Sequence, residues 1–379
     1  MSKHPYTVMS SQESSPDESY RSELGYLVLL HAVAQNLDIA KCRETIGKIH
    51  TLEHSHENSW VYQWNECAKA YLDKGDFLNA FQYFNLARFP FPSNKAMELA
   101  HQDCVDTFKQ WTLEKNISCE RRIVQIGSHS VPFYFSSNAE NLPLLIVMGG
   151  IVSIKEQWNG FVSAGKKLGV CVVLAEMPGV GENPMPYDND SDLLLDALVG
   201  AVEGEFFSQH IHLVMMSFSG NLGLKFAARE KRVKAVTTVG APVKHFFTDQ
   251  QWWVKVPLTT KRTLAYLCQC SEHQVFDAIK DFAIPETMLQ KLTIPVYYIQ
   301  SEHDEIIPSE EVTYLRKHVS GLHVTQYPDV HGSPRHMSQM QKWVPITVLT
   351  ETKGNSLVLF ILKTSLKVKQ IFDRLAPKK

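Results

Sequence analysis

Three residues of this chain have the side-chain types of a covalent hydrolytic site: Ser217, Asp304 and His331. An imidazole can take the proton of a serine hydroxyl and return it to a leaving group, while a carboxylate holds the imidazole tautomer and stabilises the imidazolium. Together these groups predict acyl transfer through a covalent acyl-enzyme. The sequence contains no HExxH, CxxC or P-loop motif.

Each of the three residues follows a short apolar segment that predicts a β-strand. The fifth predicted strand ends directly before Ser217, the seventh ends shortly before Asp304, and the eighth ends shortly before His331. The 27 positions from Asp304 to His331 hold one helix and one strand, as a βαβ unit requires. We therefore expect loops at three strand ends to assemble one site, in the chain order Ser, Asp, His.

Short apolar strands alternate with helices after residue 117, and this alternation predicts an α/β fold. Buried strands separated by helices favour a mostly parallel sheet with helices on both faces. Helical patterns are predicted at 154–168, 191–207, 219–229 and 309–319. Eight strands are predicted, around residues 123–125, 132–135, 144–148, 171–175, 211–216, 234–238, 296–300 and 323–327.

The chain divides by composition and periodicity into six predicted segments. The N-terminal part has helical spacing, and Tyr71, Gly75 and Pro92 fall on the spacing of a tetratricopeptide hairpin, although one such unit cannot form an array. A helical, aromatic-rich stretch interrupts the α/β alternation where a lid would lie. The segments are a disordered 1–19, a helical cap 20–117, an α/β core in two parts (118–241 and 293–345), a lid insertion 242–292 and a helical tail 346–379.

The segment around Ser217 resembles the nucleophile elbow of α/β-hydrolases, in which a strained strand–turn–helix raises a serine above the sheet. The usual motif is G-x-S-x-G, and here Met215 and Ser219 stand at the two glycine positions. Ser219 is the alternative nucleophile if the register slips by two, although we favour its interpretation as a small residue under the following helix. The altered flanks also allow a decayed, non-catalytic elbow, unless the side chain that faces Met215 is small.

The base and the carboxylate have alternatives as well. His336 is the rival base, but His331 directly follows its strand and precedes a glycine, which favours His331. Glu302 and Asp329 are the alternative carboxylates, whose other role would be to cap a turn and a strand end.

An oxyanion hole needs two backbone N–H groups close to the nucleophile. The first is predicted to be that of Phe218, and the second that of Gly150 or Ile151 in the loop after the third strand. The paired glycines of this loop let its backbone approach a substrate closely. We predict a substrate pocket lined by Gly149 and by aromatic residues at the start of the lid, unless these form only lid core: His245, Phe246, Phe247, Trp252 and Trp253.

The composition argues against several classes of function. The chain of 379 residues is 44% hydrophobic with a net charge of −2, which gives no signal for binding nucleic acid or a membrane. The polar N-terminus lacks a secretory signal, and the seven scattered cysteines are typical of reduced thiols. We therefore expect a cytoplasmic protein.

Three further segments resemble the FrsA-like group of α/β-hydrolases, which includes fungal pigment hydrolases that shorten polyketides. They are Ala87–Pro92 (ARFPFP), Gly149–Glu156 (GGIVSIKE) and Glu176–Glu182 (EMPGVGE), of which the last two are the specific ones. The resemblance covers roughly residues 20–343 and is strongest to bacterial enzymes that trim a polyketide in anthraquinone-type pigment biosynthesis. Glu176 departs from the family, which commonly has Asp at that position.

This resemblance implies retro-Claisen-type cleavage of a polyketide-derived β-dicarbonyl substrate by Ser217 and His331, under a cover formed by the N-terminal helices. It also implies that neither a metal nor an organic cofactor is required. The basic C-terminal tail could meet an acidic acyl carrier protein, although a solvated helix face would account for it as well. A homodimer is a second candidate assembly. The alternative functions are a carboxylesterase or thioesterase of the same type, and a non-catalytic partner-binding protein that uses the tetratricopeptide-like hairpin.

Overall fold

The computed structural model describes residues 16–52, 56–137, 139, 141–207 and 209–375. Its strands are β1 (Glu120–Ile126), β2 (His129–Ser136), β3 (Leu144–Met148), β4 (Cys171–Ala175), β5 (Ile211–Met216), β6 (Val233–Val239), β7 (Val296–Ser301) and β8 (Leu322–Tyr327). They form one sheet in the order β1-β2-β4-β3-β5-β6-β7-β8. β2 pairs antiparallel with β1 and β4, and the remaining pairs are parallel.

The central strands are apolar throughout because both faces of the sheet are covered. All five residues of β3 and all five of β4 are buried, and Val147 of β3 lies opposite Val214 of β5 in parallel register. Parallel pairing brings the carboxyl ends of β3, β5, β6, β7 and β8 to one edge of the sheet. Loops that follow these strands can therefore share a site.

Helices cover the sheet and precede, interrupt and follow its strands. In the described part of the chain, five α-helices come before β1, five lie between β6 and β7, and two follow β8. In the described residues the helices are α1 (Pro16–Ala34), α2 (Ile39–Gly47), α3 (Trp60–Leu72), α4 (Phe77–Ala87), α5 (Lys95–Glu114), α6 (Asn159–Leu168), α7 (Leu193–Ala201), α8 (Ser219–Ala227), α9 (His245–Thr248), α10 (Gln250–Lys255), α11 (Leu258–Leu267), α12 (Val275–Ile279), α13 (Glu286–Leu289), α14 (Glu310–His318), α15 (Met337–Glu351) and α16 (Ser356–Leu375).

The N-terminal helices form a layer with an aromatic core. α3 and α4 make a helical hairpin, in which the ring of Tyr71 stacks on that of Tyr83 with 5.2 Å between ring centres. Phe108 of α5 packs against Tyr134 of β2, with ring centres 4.9 Å apart. The layer is therefore packed directly on the sheet.

Helix α1 also contacts the segment between β6 and β7. The carboxylate of Glu23 accepts hydrogen bonds from the backbone N–H groups of Leu258 (3.1 Å) and Thr259 (2.6 Å) in the first turn of α11. Such N–H groups have no acceptor within their own helix, so Glu23 caps α11 from a distant part of the chain. The Arg262 guanidinium of α11 lies 4.2 Å from the centre of the Tyr20 ring, which adds a second contact between the two helices.

The predicted fold class is confirmed: each predicted strand is present, the sheet is mostly parallel, and the N-terminal region is helical. The predicted disordered segment 1–19 differs from the structure, because α1 begins at Pro16 and has Asp17 and Glu18 in its first turn, where negative charge favours a helix. Residues 1–15 and the last four of the predicted tail, 376–379, lie outside the described residues. In the part of the chain that is described, no helix is both long enough and apolar enough to cross a membrane.

Candidate active site

The turn after β5 holds Ser217 in a backbone conformation that side chains rarely adopt. Its φ is 56°, in the left-handed region. The Ser217 N–H donates to the carbonyl of Val239 (2.8 Å), and its own carbonyl accepts from the N–H of Gly220 (2.8 Å). These bonds from β6 and α8 hold the strained turn in place, which is the geometry of a nucleophile elbow.

Ser217, His331 and Asp304 lie in one hydrogen-bonded line. Ser217 Oγ is 2.9 Å from His331 Nε2, and His331 Nδ1 is 2.9 Å from Asp304 Oδ2. The other carboxylate oxygen, Oδ1, accepts from the N–H groups of Ile306 (2.9 Å) and Ile307 (2.8 Å), which fixes the carboxylate plane. With Nδ1–H donating to Asp304, Nε2 is left as the acceptor that faces the serine hydroxyl.

Three of the four alternative residues have other partners, and the fourth, Glu302, is exposed. Ser219 is fully buried, and its hydroxyl is within hydrogen-bonding distance of the carbonyls of Met148 (2.9 Å) and Met216 (3.0 Å). His336 Nδ1 is 2.9 Å from Asp329 Oδ2, so these two residues form a separate histidine–carboxylate pair. Only the first-choice residues of the sequence analysis are brought together around Ser217.

Met215 fits at the usual glycine position because the residue opposite it has no side chain. A Cβ atom added at Gly223, one turn into α8, would lie 2.7 Å from Met215 Cγ, far inside van der Waals contact. Met215 itself is completely buried. The small residue required where β5 crosses α8 is therefore supplied by the helix instead of the strand.

Enlarging Gly223, with and without a smaller residue at position 215, tests this explanation. Gly223→Ala is expected to lower the free energy of unfolding by about 1–3 kcal/mol, because the added methyl group overpacks Met215. In a Met215→Ala background the same change should cost nothing or stabilise by up to about 1 kcal/mol, the helix preference of Ala over Gly. Urea unfolding of the double-mutant cycle measures this coupling; equal costs in both backgrounds would refute the contact.

The loop after β3 brings its backbone against the serine. A Cβ atom at Gly150 would lie 3.0 Å from Ser217 Cβ, so a side chain there would press against the serine unless one of the two shifted by a few tenths of an ångström. The backbone N–H groups of Phe218, Gly150 and Ile151 have no hydrogen-bond acceptor among the described residues. They are therefore available to an oxyanion at the serine, and their role as oxyanion donors stays a prediction.

A cavity of about 560 Å³ reaches Ser217 and His331. Its walls are mainly apolar and come from α1, α4–α5, the loop after β3, α6 and α15, with Leu30, Phe89, Phe161, Met340 and Val344 among the lining residues. The volume lies in the range of small-molecule sites. Among the described residues, no group of three or more His, Cys, Asp or Glu side chains is arranged to hold a metal ion.

The residues predicted to line the substrate pocket do not line this cavity: Gly149, His245, Phe246, Phe247, Trp252 and Trp253. The Phe246 ring stands edge-on to those of Phe247 and Trp253, with ring centres 5.3 and 5.9 Å away. The Trp252 indole N–H donates to the carbonyl of Ile306 (2.7 Å). These aromatic side chains pack against one another and against the adjacent backbone, so they belong to the core of the lid insertion.

A histidine that the sequence analysis did not select lies in the cavity wall. His31 of α1 has its Nδ1 3.4 Å from the side-chain amide nitrogen of Gln157. Burial, with smaller effects from Arg88 and His331, lowers the pKa of His31 to about 3, so its imidazole is neutral at ordinary pH. The sequence shows an apolar helical stripe here, but a stripe does not reveal which surface it covers.

The charges around His331 set the pKa of its imidazole. Burial alone would lower the pKa of His331, but Asp304, through its charge and its hydrogen bond, and Glu305 together raise the pKa above the ordinary 6.5. Since only the neutral imidazole accepts a proton, hydrolytic activity should fall as pH decreases through this pKa.

The pH dependence of kcat/KM for a p-nitrophenyl ester checks this expectation. The acidic limb is expected above pH 6.5 in the wild type. In Glu305→Gln the limb should move to lower pH, because one nearby negative charge is removed. A wild-type limb at or below 6.5 would contradict the charge arrangement.

A strained serine after a parallel strand, together with the topology of the sheet, defines this protein as an enzyme of the α/β-hydrolase class. The chain belongs to the FrsA-like family: the family model described as "Esterase FrsA-like" matches residues 50–266.

Similar proteins support this assignment. The solved structure "AbyA5 Wildtype" has 35% sequence identity and a TM-score of 0.87, and the match covers 91% of this chain and 98% of that one. Esterase FrsA of Vibrio parahaemolyticus is 23% identical over 226 residues, which are 53% of each chain, so this chain spans about half the length of that curated relative. The 2,6-dihydroxy-pseudo-oxynicotine hydrolase shares the fold, with 17% identity, a TM-score of 0.68 and coverage of 85% of this chain and 96% of that one.

Proposed function

We propose that the chain is a serine hydrolase that cleaves a carbon–carbon bond of a polyketide-derived β-dicarbonyl substrate, with Ser217, His331 and Asp304 as its catalytic triad. The observation that carries the triad is the hydrogen-bonded line from Ser217 Oγ through His331 to Asp304 at an apolar cavity. The likeness of the GGIVSIKE and EMPGVGE segments to polyketide-shortening FrsA-like hydrolases supports the substrate class.

In the first half of the reaction, His331 Nε2 takes the proton of Ser217 Oγ as the oxygen attacks one carbonyl of the β-dicarbonyl group. The N–H of Phe218 and that of Gly150 or Ile151 bind the resulting oxyanion. The bond between the former carbonyl carbon and the central carbon then breaks. The departing carbon leaves as an enolate, stabilised by the second carbonyl, and takes the proton from His331.

In the second half, His331 removes a proton from water, which attacks the acyl group on Ser217. The tetrahedral intermediate collapses to a carboxylic acid, and the proton returns to Ser217 Oγ. Asp304 stabilises the imidazolium in both halves. The sum of the steps is one water consumed, and one acid and one ketone released.

Simple ester or thioester hydrolysis is the second candidate function. It is favoured by the family description, which names an esterase. The same triad and oxyanion donors would serve, because an alkoxide or thiolate only replaces the enolate as leaving group. The carrier-protein partner and the homodimer stay predictions.

Paired substrates distinguish the two functions. Wild type and Ser217→Ala are incubated in ¹⁸O-water with a long-chain aryl 1,3-diketone and with a p-nitrophenyl ester of the same acyl chain. Mass spectrometry follows the products, and a fluorophosphonate probe reports on the serine. We expect wild type to convert the diketone into an ¹⁸O-labelled acid and a methyl ketone and to react with the fluorophosphonate probe. We expect Ser217→Ala neither to cleave the diketone nor to react with the probe.

Each other result decides against a part of the proposal. Ester turnover without diketone cleavage would reject the carbon–carbon activity and leave the esterase. Equal fluorophosphonate labelling of wild type and Ser217→Ala would reject Ser217 as the nucleophile. Ser219→Ala is the matched control, because the Ser219 hydroxyl is within hydrogen-bonding distance of two backbone carbonyls. This variant should still react with the fluorophosphonate probe.

A further inference from the structure

His31 of α1 presents a ring nitrogen to the active-site cavity. The residue is half-buried and belongs to the wall of the cavity that reaches Ser217 and His331. Its Nδ1 lies 3.4 Å from the Gln157 amide nitrogen. Its Nε2 has no hydrogen-bond partner among the described residues, and it is not one of the unpartnered polar atoms that are fully buried. A substrate in the cavity can therefore reach Nε2.

A chain of hydrogen bonds fixes which ring nitrogen of His31 carries the proton. It begins at Arg88, a buried cation that can only donate, whose Nε donates to Asn85 Oδ1 (2.8 Å). Asn85 must then turn its NH₂ group the other way, where it donates to Gln35 Oε1 (3.1 Å) and Gln157 Oε1 (3.5 Å). The Gln157 NH₂ group in turn faces His31 Nδ1, which must accept. A neutral imidazole has one N–H, so the proton is on Nε2.

The imidazole of His31 is neutral at the pH of ester or ketone hydrolysis. Burial, with smaller effects from Arg88 and His331, lowers its pKa to about 3. A neutral donor suits this mainly apolar cavity, because a cation there would be costly to desolvate. A neutral imidazole N–H can also bind a developing enolate oxygen without giving up its proton. The effect of His331 on this pKa shows that the two rings are near each other.

Arg88 also holds the loop that carries the predicted oxyanion donors. Its Nη2 donates to the carbonyl of Val152, which directly follows Ile151 in the loop after β3. One buried cation therefore positions both the backbone of this loop and, through the chain of amides, the Nε2–H of His31.

We propose that His31 is a catalytic residue that donates a hydrogen bond from Nε2 to the second carbonyl oxygen of the β-dicarbonyl substrate, the one that Ser217 does not attack. When the carbon–carbon bond breaks, the negative charge of the enolate develops on this oxygen, and the hydrogen bond strengthens. His31 keeps its proton throughout, while His331 supplies the proton that the departing carbon takes. The inference rests on the proposed function and assigns a residue to the step that distinguishes carbon–carbon cleavage from ester hydrolysis.

The paired diketone and p-nitrophenyl ester test the inference, because only the diketone has a leaving group that departs as an enolate. In His31→Phe the ratio of kcat/KM for the diketone to kcat/KM for the ester should fall about 10²-fold, as for the loss of one oxyanion donor. His31→Gln, which can place an amide N–H near the position of Nε2, should recover about tenfold of this loss. Gln157→Met, which removes only the group that faces Nδ1, should lower the ratio by a smaller factor.

His101→Phe is the matched control. His101 is a second histidine of the N-terminal helices whose pKa is lowered by burial to about 3, but it does not line the cavity. The ratio in this variant should equal that of wild type. The inference is overturned if His31→Phe leaves the ratio unchanged, or if His101→Phe lowers it as much. If thermal unfolding shows that His31→Phe does not fold, an unchanged ratio in Gln157→Met overturns the inference instead.

Binding separates failure of the inference from failure of the proposed function. In Ser217→Ala, calorimetry should show that the diketone binds about 3- to 10-fold more tightly than the matched ketone with a methylene group in place of the second carbonyl. Adding His31→Phe should remove this preference. If wild type cleaves no diketone, the proposed carbon–carbon activity is rejected. Survival of the binding preference in the double variant would overturn the inference, whether or not wild type cleaves the diketone.

Discussion

Asp304→Asn is expected to lower kcat about 10⁴-fold while KM for an ester substrate stays close to that of wild type. In wild type, Asp304 Oδ1 accepts two backbone N–H groups and lies 3.0 Å from His331 Nδ1, and Oδ2 lies 2.9 Å from the same nitrogen. An asparagine keeps its carbonyl oxygen on the backbone donors, which leaves its NH₂ group facing Nδ1. A donor at that position favours the imidazole tautomer that accepts at Nδ1 and carries its proton on Nε2, and this tautomer cannot take the proton of Ser217.

Steady-state kinetics with a p-nitrophenyl ester measure this effect, and thermal unfolding shows whether the variant is folded. Asp329→Asn is the matched control, because Asp329 is a buried carboxylate that binds a histidine, His336, in the same way (2.9 Å). That variant should keep kcat within about tenfold of wild type. A similar loss in both variants would mean that Asp304 acts only through the stability of the fold.

Lys155→Met is expected to lower the free energy of unfolding by about 3–5 kcal/mol, the cost of leaving a buried ionic cluster without its cation. Lys155 is completely buried, and its Nζ lies 2.9 Å from Glu156, 3.3 Å from Glu176 and 2.6 Å from Glu182. Burial alone would lower the pKa of Lys155, but these carboxylates outweigh it and raise the pKa, so the lysine is charged. Without it, three carboxylates would repel one another in a site with little water.

Urea unfolding at two pH values gives the measurement. The difference between Lys155→Met and wild type should be smaller at pH 5 than at pH 8, since protonation relieves the unpaired carboxylates. Arg121→Gln is the control: Arg121 pairs with Glu182 at 2.7 Å, but its side chain is 39% exposed, and its loss should cost about 1 kcal/mol or less. Equal costs for the two variants would show that the cluster is not effectively buried.

Much of the geometry around Ser217 was predictable because it depends on local sequence. Strands such as β3 and β5 are short apolar runs with clear ends, and the residues after those ends meet at one edge of the sheet. The order of Ser217, Asp304 and His331 along the chain therefore sufficed to predict their meeting. The contact between Gly223 and Met215 was harder to predict, because Gly223 lies in a helix whose rotation against β5 the sequence does not specify.

The cavity walls were not predictable for a related reason. His31 lies nearly two hundred residues before Ser217, and no local pattern shows which stripe of α1 faces the cavity. The aromatic residues after β6 suggested a pocket by their type alone. Phe246 and Trp253 instead pack against each other. Residue type cannot distinguish the two cases, because large rings bury as much surface in a lid core as against a ligand.

The two hydrogen bonds from Glu23 to the start of α11 have a consequence for protein engineering. Residues more than two hundred positions apart form one structural unit there, which contributes both Leu27 and Thr259 to the cavity. A chimaera that takes its N-terminal helices from a relative would leave α11 uncapped unless it also takes that helix. Glu23 and the first turn of α11 should therefore be transplanted together when the substrate range of this enzyme is redesigned.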